Sequence, residues 1–130
     1  MWGTYQRSDL RIEVKASSGD IRRCLLYAES LQAWLQPQQI RSVGVDSPLS
    51  GELFLGQSFE SKLWPLNIRH EVEMLSDSGV RFLLSEGIDG FHEWQWGDGW
   101  VQSRLEGISL FPLSLGQTAS IIRLRLYLQQ

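Results

Sequence analysis

Cysteine is almost missing: Cys24 is the only one in 130 residues, so no disulfide can form within the chain and a cystine-stapled secreted scaffold is excluded. Its setting, RRCLLYAES, predicts a buried helical thiol in preference to a nucleophile. Lysine is scarce as well, two against ten arginines, and acids outnumber bases by 15 to 12. A net charge of −3 offers no attraction to phosphate backbones, so no nucleic-acid partner is expected. No apolar run approaches the roughly 18 to 20 residues of a membrane span, and the opening MWGTYQRSDLR lacks the apolar core of a signal peptide. The expectation is a soluble, untargeted, cytoplasmic protein, folded as a single domain over residues 1–130.

Catalytic and cofactor motifs are lacking too. The two histidines, His70 and His92, have no third ligand at CxxC, HxH or HExxH spacing, so no metal is expected. GDG and GVDSPLSG carry neither a Walker lysine nor GxGxxG spacing, and no serine sits in GxSxG. No cofactor is expected. Ser61, Ser85 and Ser103 read as ordinary strand serines.

What is present is a clear pattern of strands. TYQRSDLRIEV (4–14) ends in alternation, with Leu10, Ile12 and Val14 on one side. SSGD (17–20) has the spacing of a capping box, opening a helix of about ten residues with Ile21, Cys24, Leu25 and Ala28 on one face. Ser30 is placed to cap a second helix, LQAWLQ, anchored by Trp34 and stopped by Pro37. IRSVGV, a DSPLSG turn and one long strand, ELFLGQSFESKLW, bent at Gly56, come next. NIRHEVEML puts Ile68, His70, Val72 and Met74 on one face. A DSG turn then leads to VRFLLSEGI, where Val80, Phe82 and Leu84 share a face.

FHEWQWGDGWVQSRLEG (91–107) holds three of the six tryptophans and one histidine. With Asp98-Gly99 as a two-residue turn, Trp96 pairs with Val101, Trp94 with Ser103, Glu93 with Arg104 and His92 with Leu105. This register puts His92, Trp94, Trp96, Val101, Ser103 and Leu105 on one face; a three-residue loop would instead stack Trp96 on Trp100. The tail keeps two readings: IIRLRLYL alternates as a strand, with Ile122, Leu124, Leu126 and Leu128 in step, whereas Ser114-Leu115-Gly116-Gln117 has capping-box spacing.

For each candidate group a functional role stands beside a structural one. His70 and His92 on apolar faces suit either neutral core histidines or cavity groups that bind a metal, shuttle a proton or orient a polar ligand. Glu86 and Asp89, in SEGIDG, suit a solvated turn better than a paired-carboxylate site. The tryptophans fill a core, or wall an apolar pocket with indole N–H groups as directional donors.

The stretch IEVKASSGDIRRCLLYAESLQAWL, with Leu31 and Trp34 closing its second helix, the bend of GELFLGQSFES, and the tryptophan hairpin resemble the START-like or Bet v 1-like superfamily, in its bacterial polyketide cyclase/dehydrase and lipid-transport branch. The resemblance implies an α+β helix-grip: a curved antiparallel sheet of about seven strands around a C-terminal helix (114–129), with two short helices after the first strand. It also implies a cavity for a hydrophobic small molecule (a lipid, isoprenoid, polyketide or pigment), lined by Trp34, Phe59, His70, Phe82, His92, Trp94, Trp96, Ser103 and Ile122. Two other functions remain open: a cyclase/dehydrase with His70 or His92 as general base, and a co-chaperone-type interaction domain. A homodimer is open as well.

Overall fold

The computed structural model describes residues 3–36, 38–43, 49–63 and 66–129. Chain order is β1 (Thr4–Glu13), α1 (Ser18–Leu26), α2 (Ala28–Leu35), β2 (Gln39–Ser42), β3 (Ser58–Leu63), β4 (Leu66–Ser76), β5 (Gly79–Glu86), β6 (Asp89–Gly97), β7 (Trp100–Ser109) and α3 (Leu113–Leu128). The seven strands form one antiparallel sheet in the order β1-β7-β6-β5-β4-β3-β2. It curves around α3, and α1 and α2 complete the layer that covers its inner face. The fold is a helix-grip. Val72, Val80, Phe82, Trp94, Trp96 and Val101 on the strands meet Ile21, Leu25, Trp34, Ile121 and Leu124 on the helices, all buried.

The hairpin has the two-residue turn and the register expected from its sequence, with Trp94 opposite Ser103 and His92 opposite Leu105. Gly99 takes φ +82°, while Asp98 stays out of the positive region and its carboxylate accepts from the Ser18 N–H at 2.7 Å. The hairpin tip thus caps α1, and the Gly99 N–H donates to the Ala16 carbonyl at 3.0 Å. Ser17 Oγ accepts from the Asp20 N–H at 3.2 Å, one half of the expected box; the Asp20 carboxylate turns to Arg23 instead. Across the hairpin Glu93 faces Arg104, yet that guanidinium bonds Asp9 at 2.8 Å and Glu93 lies 3.9 Å from Arg81.

Other expectations need correcting. The two helices meet at Tyr27, whose extended backbone (φ −107°, ψ 125°) ends α1 and starts α2, so Ser30 lies inside α2 and caps nothing. A loop holds the break: the Ala28 N–H donates to the Gly51 carbonyl at 2.9 Å and the Leu53 N–H to the Leu26 carbonyl at 2.7 Å. Residues 52–57 are therefore spent on this strap, and the strand expected from Glu52 begins only at Ser58. Gly56 takes φ +85°, within a turn. In β4 a bulge between Val72 and Met74 inserts one residue. A bulge flips the faces beyond it. Met74 points outward, 56 % exposed, and Leu75 packs inward opposite Val80. The Pro37 stop, Gly44-Val45, the first half of the DSPLSG turn and Trp64 lie outside the described residues.

The tail is a helix, starting at Leu113 with Pro112 at its N-cap and no side-chain cap. Gln117 is not half of a capping box, because it turns into the core. Within the sheet, strands β6 and β7 pack backbone on backbone at the Gly90–Gly107 pair, where a Cβ on Gly107 would meet the Asp89 carbonyl oxygen at 2.6 Å. Gly116, by contrast, has nothing within 4 Å of an added Cβ. Gly107→Ala is expected to destabilise the fold by about 1–3 kcal/mol, and Gly116→Ala to stabilise it by up to about 1 kcal/mol through helix propensity. Urea unfolding checks both; equal effects of one sign would contradict the packing described.

Candidate functional site

Alternation along the strands brings the candidate side chains to the concave face. Phe59 on β3 is opposite His70 on β4, His70 is opposite Leu84 on β5, and Phe82 on β5 is opposite His92 on β6. Ring contacts follow. His70 stacks on Phe59 with centroids 4.7 Å apart, Phe82 stands edge-on to both, and His92 lies against Trp94 at 4.7 Å. Trp34 of α2 meets Trp94 edge to face at 6.2 Å, and its indole N–H donates to the Cys24 carbonyl at 2.8 Å. That bond ties the end of α2 back to α1. It also removes the Trp34 N–H as a ligand donor.

Between the sheet and the helices lie two adjoining chambers. An inner one of about 70 Å³ is walled by Leu25, Trp34, Phe59, Phe82 and Trp94. An outer one of about 160 Å³ is walled by Ile68, Leu84, Ile88, Leu105, Phe111 and Leu113, with Ala119, Ser120 and Arg123 contributed by α3. His70, His92, Gln38 and Ser120 border both. The histidines therefore stand where the chambers join. Both residues are partly buried at this junction.

A buried chain of polar groups stands behind His92. Ser8 Oγ donates to Gln117 Oε1 at 2.5 Å; Gln117 Nε2 donates to the Ser8 and Ser103 carbonyls at 3.0 and 2.9 Å and lies 3.1 Å from Ser103 Oγ. Two carbonyl acceptors fix which end of the amide is nitrogen. Ser103 Oγ is in turn 2.6 Å from His92 Nε2. Ser103 is wholly buried, and a buried hydroxyl hydrogen needs an acceptor. Gln117 Nε2 cannot accept, so the hydroxyl donates to His92 Nε2, and the neutral ring carries its hydrogen on Nδ1. Among the described residues Nδ1 has no partner, leaving a donor at the cavity wall. His70 Nε2 bonds Ser61 Oγ at 2.9 Å, while its Nδ1 is buried and unpartnered.

Burial holds both rings neutral. The His70 pKa is pushed down to about 4, and the His92 pKa to about 3 by burial together with repulsion from a protonated His70. Burial pushes the Cys24 thiol up to about 11, which leaves it a protonated core group. Glu86 and Asp89 are solvent-exposed beside the turn between β5 and β6, away from the chambers.

Of the expected lining residues, Trp34, Phe59, His70, Phe82, His92 and Trp94 converge on the cavity. Trp96 does not: it is 1 % exposed and sealed in the core, its indole nitrogen unpartnered. Ser103 stands behind His92 and bonds it. Ile122 is half exposed on the outer side of α3, and Ile121 takes the inward position, because a helix repeats near 3.6 residues and not two. Sequence reading missed Gln117, Ser120 and Arg123. A helical projection of α3 would have found them, since 113, 117, 121 and 124 form one stripe with 116, 120 and 123 beside it.

No family model matches the sequence, and no curated protein matches it. Solved structures are similar across nearly the whole chain. The Aha1 dimer from Colwellia psychrerythraea is 16 % identical at a TM-score of 0.66, covering 95 % of this chain and 96 % of its own. An AHSA1-like protein from Aeromonas hydrophila is 9 % identical at 0.66, covering 95 % and 92 %. DynU16, from the dynemicin biosynthetic locus, is 14 % identical at 0.68, covering 95 % of this chain and 47 % of its own. These likenesses show the fold alone. It is the one the START-like or Bet v 1-like resemblance implies.

The depressed histidines make stability depend on pH. Above about pH 6.5 both are neutral folded or unfolded; below it the unfolded chain takes up protons that the folded one refuses until its own pKa, about 4 for His70 and 3 for His92. Stability is expected to fall on acidification by up to about 1.4 kcal/mol per pH unit for each histidine. Urea unfolding between pH 7 and about 5 checks this, with a shallower slope expected for His92→Leu. A flat profile in the parent chain would mean solvated rings.

Proposed function

We propose that this chain binds a hydrophobic small molecule between its sheet and α3 and does not transform it. One observation carries the reading: an apolar hollow that contains two neutral histidines, one presenting an N–H held by a buried hydrogen-bond chain. Affinity would come from burying apolar ligand surface, about 25 cal/mol per Å². Orientation would come from His92 Nδ1–H. Trp34, Phe59, His70, Phe82 and Trp94 would supply the inner wall, and Ser103 would act by orienting His92.

The outer chamber of about 160 Å³ suits the small end of the hydrophobic range, a single ring or a short chain. An apolar cavity of about 150 Å³ holds benzene. Against catalysis stands the weak basicity of both rings, since a general base works best with a pKa near the operating pH. A second reading, the interaction domain, draws on a different observation: Leu115, Ile122 and Leu126 form an exposed apolar stripe along the outer side of α3.

Acetophenone and ethylbenzene, alike in shape, test the donor. The carbonyl compound is expected to bind about three- to tenfold tighter, one neutral hydrogen bond's worth. His92→Leu is expected to abolish that preference while retaining ethylbenzene. Binding of neither compound, monitored by amide shifts of the cavity residues, would refute small-molecule binding in this cavity.

A further inference from the structure

The outer chamber is lopsided in charge. Of the described residues lining it, Arg123 is the only one with a full charge at neutral pH, and no carboxylate is among them. Arg123 is half-buried on α3 and forms no ion pair or hydrogen bond with another described residue. Among the other arginines, Arg7, Arg22, Arg23, Arg81 and Arg104 each face an acid and Arg11 lies over Trp100, while Arg41, Arg69 and Arg125, which form no ion pair among the described residues, do not line the chamber. A guanidinium beside an apolar hollow and without a counter-charge favours an anionic partner, because partial desolvation strengthens their attraction.

The rest of the polar lining agrees. His92 presents an N–H, and Ser120 offers a hydroxyl, so the wall holds donors for an oxyanion. One fixed cation balances one negative charge. A phosphate monoester would bring close to two charges at neutral pH and leave one uncompensated in an apolar site. The chamber's size limits the apolar part to about one ring or a short chain.

We infer that the ligand is a small monocarboxylic acid, aryl or short aliphatic, with its apolar body in the chamber and its carboxylate on Arg123. This rests on the binding function proposed above and narrows it to one chemical class. The planar guanidinium fork matches a carboxylate with two parallel N–H···O bonds, which a lysine ammonium does not reproduce.

The test uses the full chain at pH 7 and two probes of one shape, 4-ethylbenzoate and 4-ethylbenzyl alcohol, titrated by calorimetry. The acid is expected to bind at least about tenfold tighter than the alcohol. Arg123→Gln is expected to remove that preference by lowering the acid's affinity to the range of the alcohol's, and Arg123→Lys to keep part of it. Ser120→Trp, which fills the junction of the two chambers, is expected to weaken both probes; thermal melting verifies that each variant is folded. If the alcohol binds while the acid gains nothing, or the gain survives Arg123→Gln, the carboxylate assignment is overturned and the hydrophobic site stands. If neither probe binds, or Ser120→Trp leaves both unaffected, the site and the assignment fall together.

Discussion

The buried amide of Gln117 is the contact on which the arrangement depends. Helix α3 carries large apolar side chains on both sides, with Leu113, Ile121 and Leu124 inside and Leu115, Ile122 and Leu126 outside. Hydrophobic burial alone therefore distinguishes poorly between one rotation of this helix and another. Gln117 does distinguish them. Its side chain reaches the Ser8 and Ser103 carbonyls, neighbours on the paired strands β1 and β7, and any other rotation would leave a buried amide unsatisfied and take from the Ser8 hydroxyl its acceptor. Leaving such groups unpaired costs about 1–3 kcal/mol each, a large share of a small domain's stability.

The same contact organises the cavity. Because Gln117 donates toward Ser103, the Ser103 hydroxyl donates to His92 and the imidazole presents a hydrogen to the hollow. Setting α3 in this rotation also brings Gly116, Ala119, Ser120 and Arg123 to the cavity's edge. One hydrogen-bond chain thus fixes the helix and the polarity of the space beneath it. The remaining wall is mostly aromatic and aliphatic, and burial against it explains why both histidines resist protonation.

Much of the sheet was legible in the sequence, because strand periodicity and turn chemistry act locally. Asp98-Gly99 and the alternation on either side determine the register of β6 and β7, and with it the inward set His92, Trp94, Ser103 and Leu105. Features set by tertiary contact were not legible. The break at Tyr27 depends on a strap 25 residues downstream in the chain, through the Tyr27–Glu52 bridge. The bulge before Met74 flips a face without leaving a glycine as a marker. In α3, Ile122, Leu124, Leu126 and Leu128 alternate as a strand would, which concealed the helical stripe carrying Gln117. That resemblance to a known family pointed to a helix where periodicity could not decide shows the limit of local reasoning here.

The tautomer of His92 is the most direct measure of the account. Long-range nitrogen-15 correlation spectra of the histidine rings at pH 7 should show a neutral His92 with hydrogen on Nδ1 and a bare, hydrogen-bonded Nε2. A hydrogen on Nε2, or a charged imidazolium, would mean that Ser103 does not donate to the ring and that the chain from Gln117 does not set the cavity's polarity.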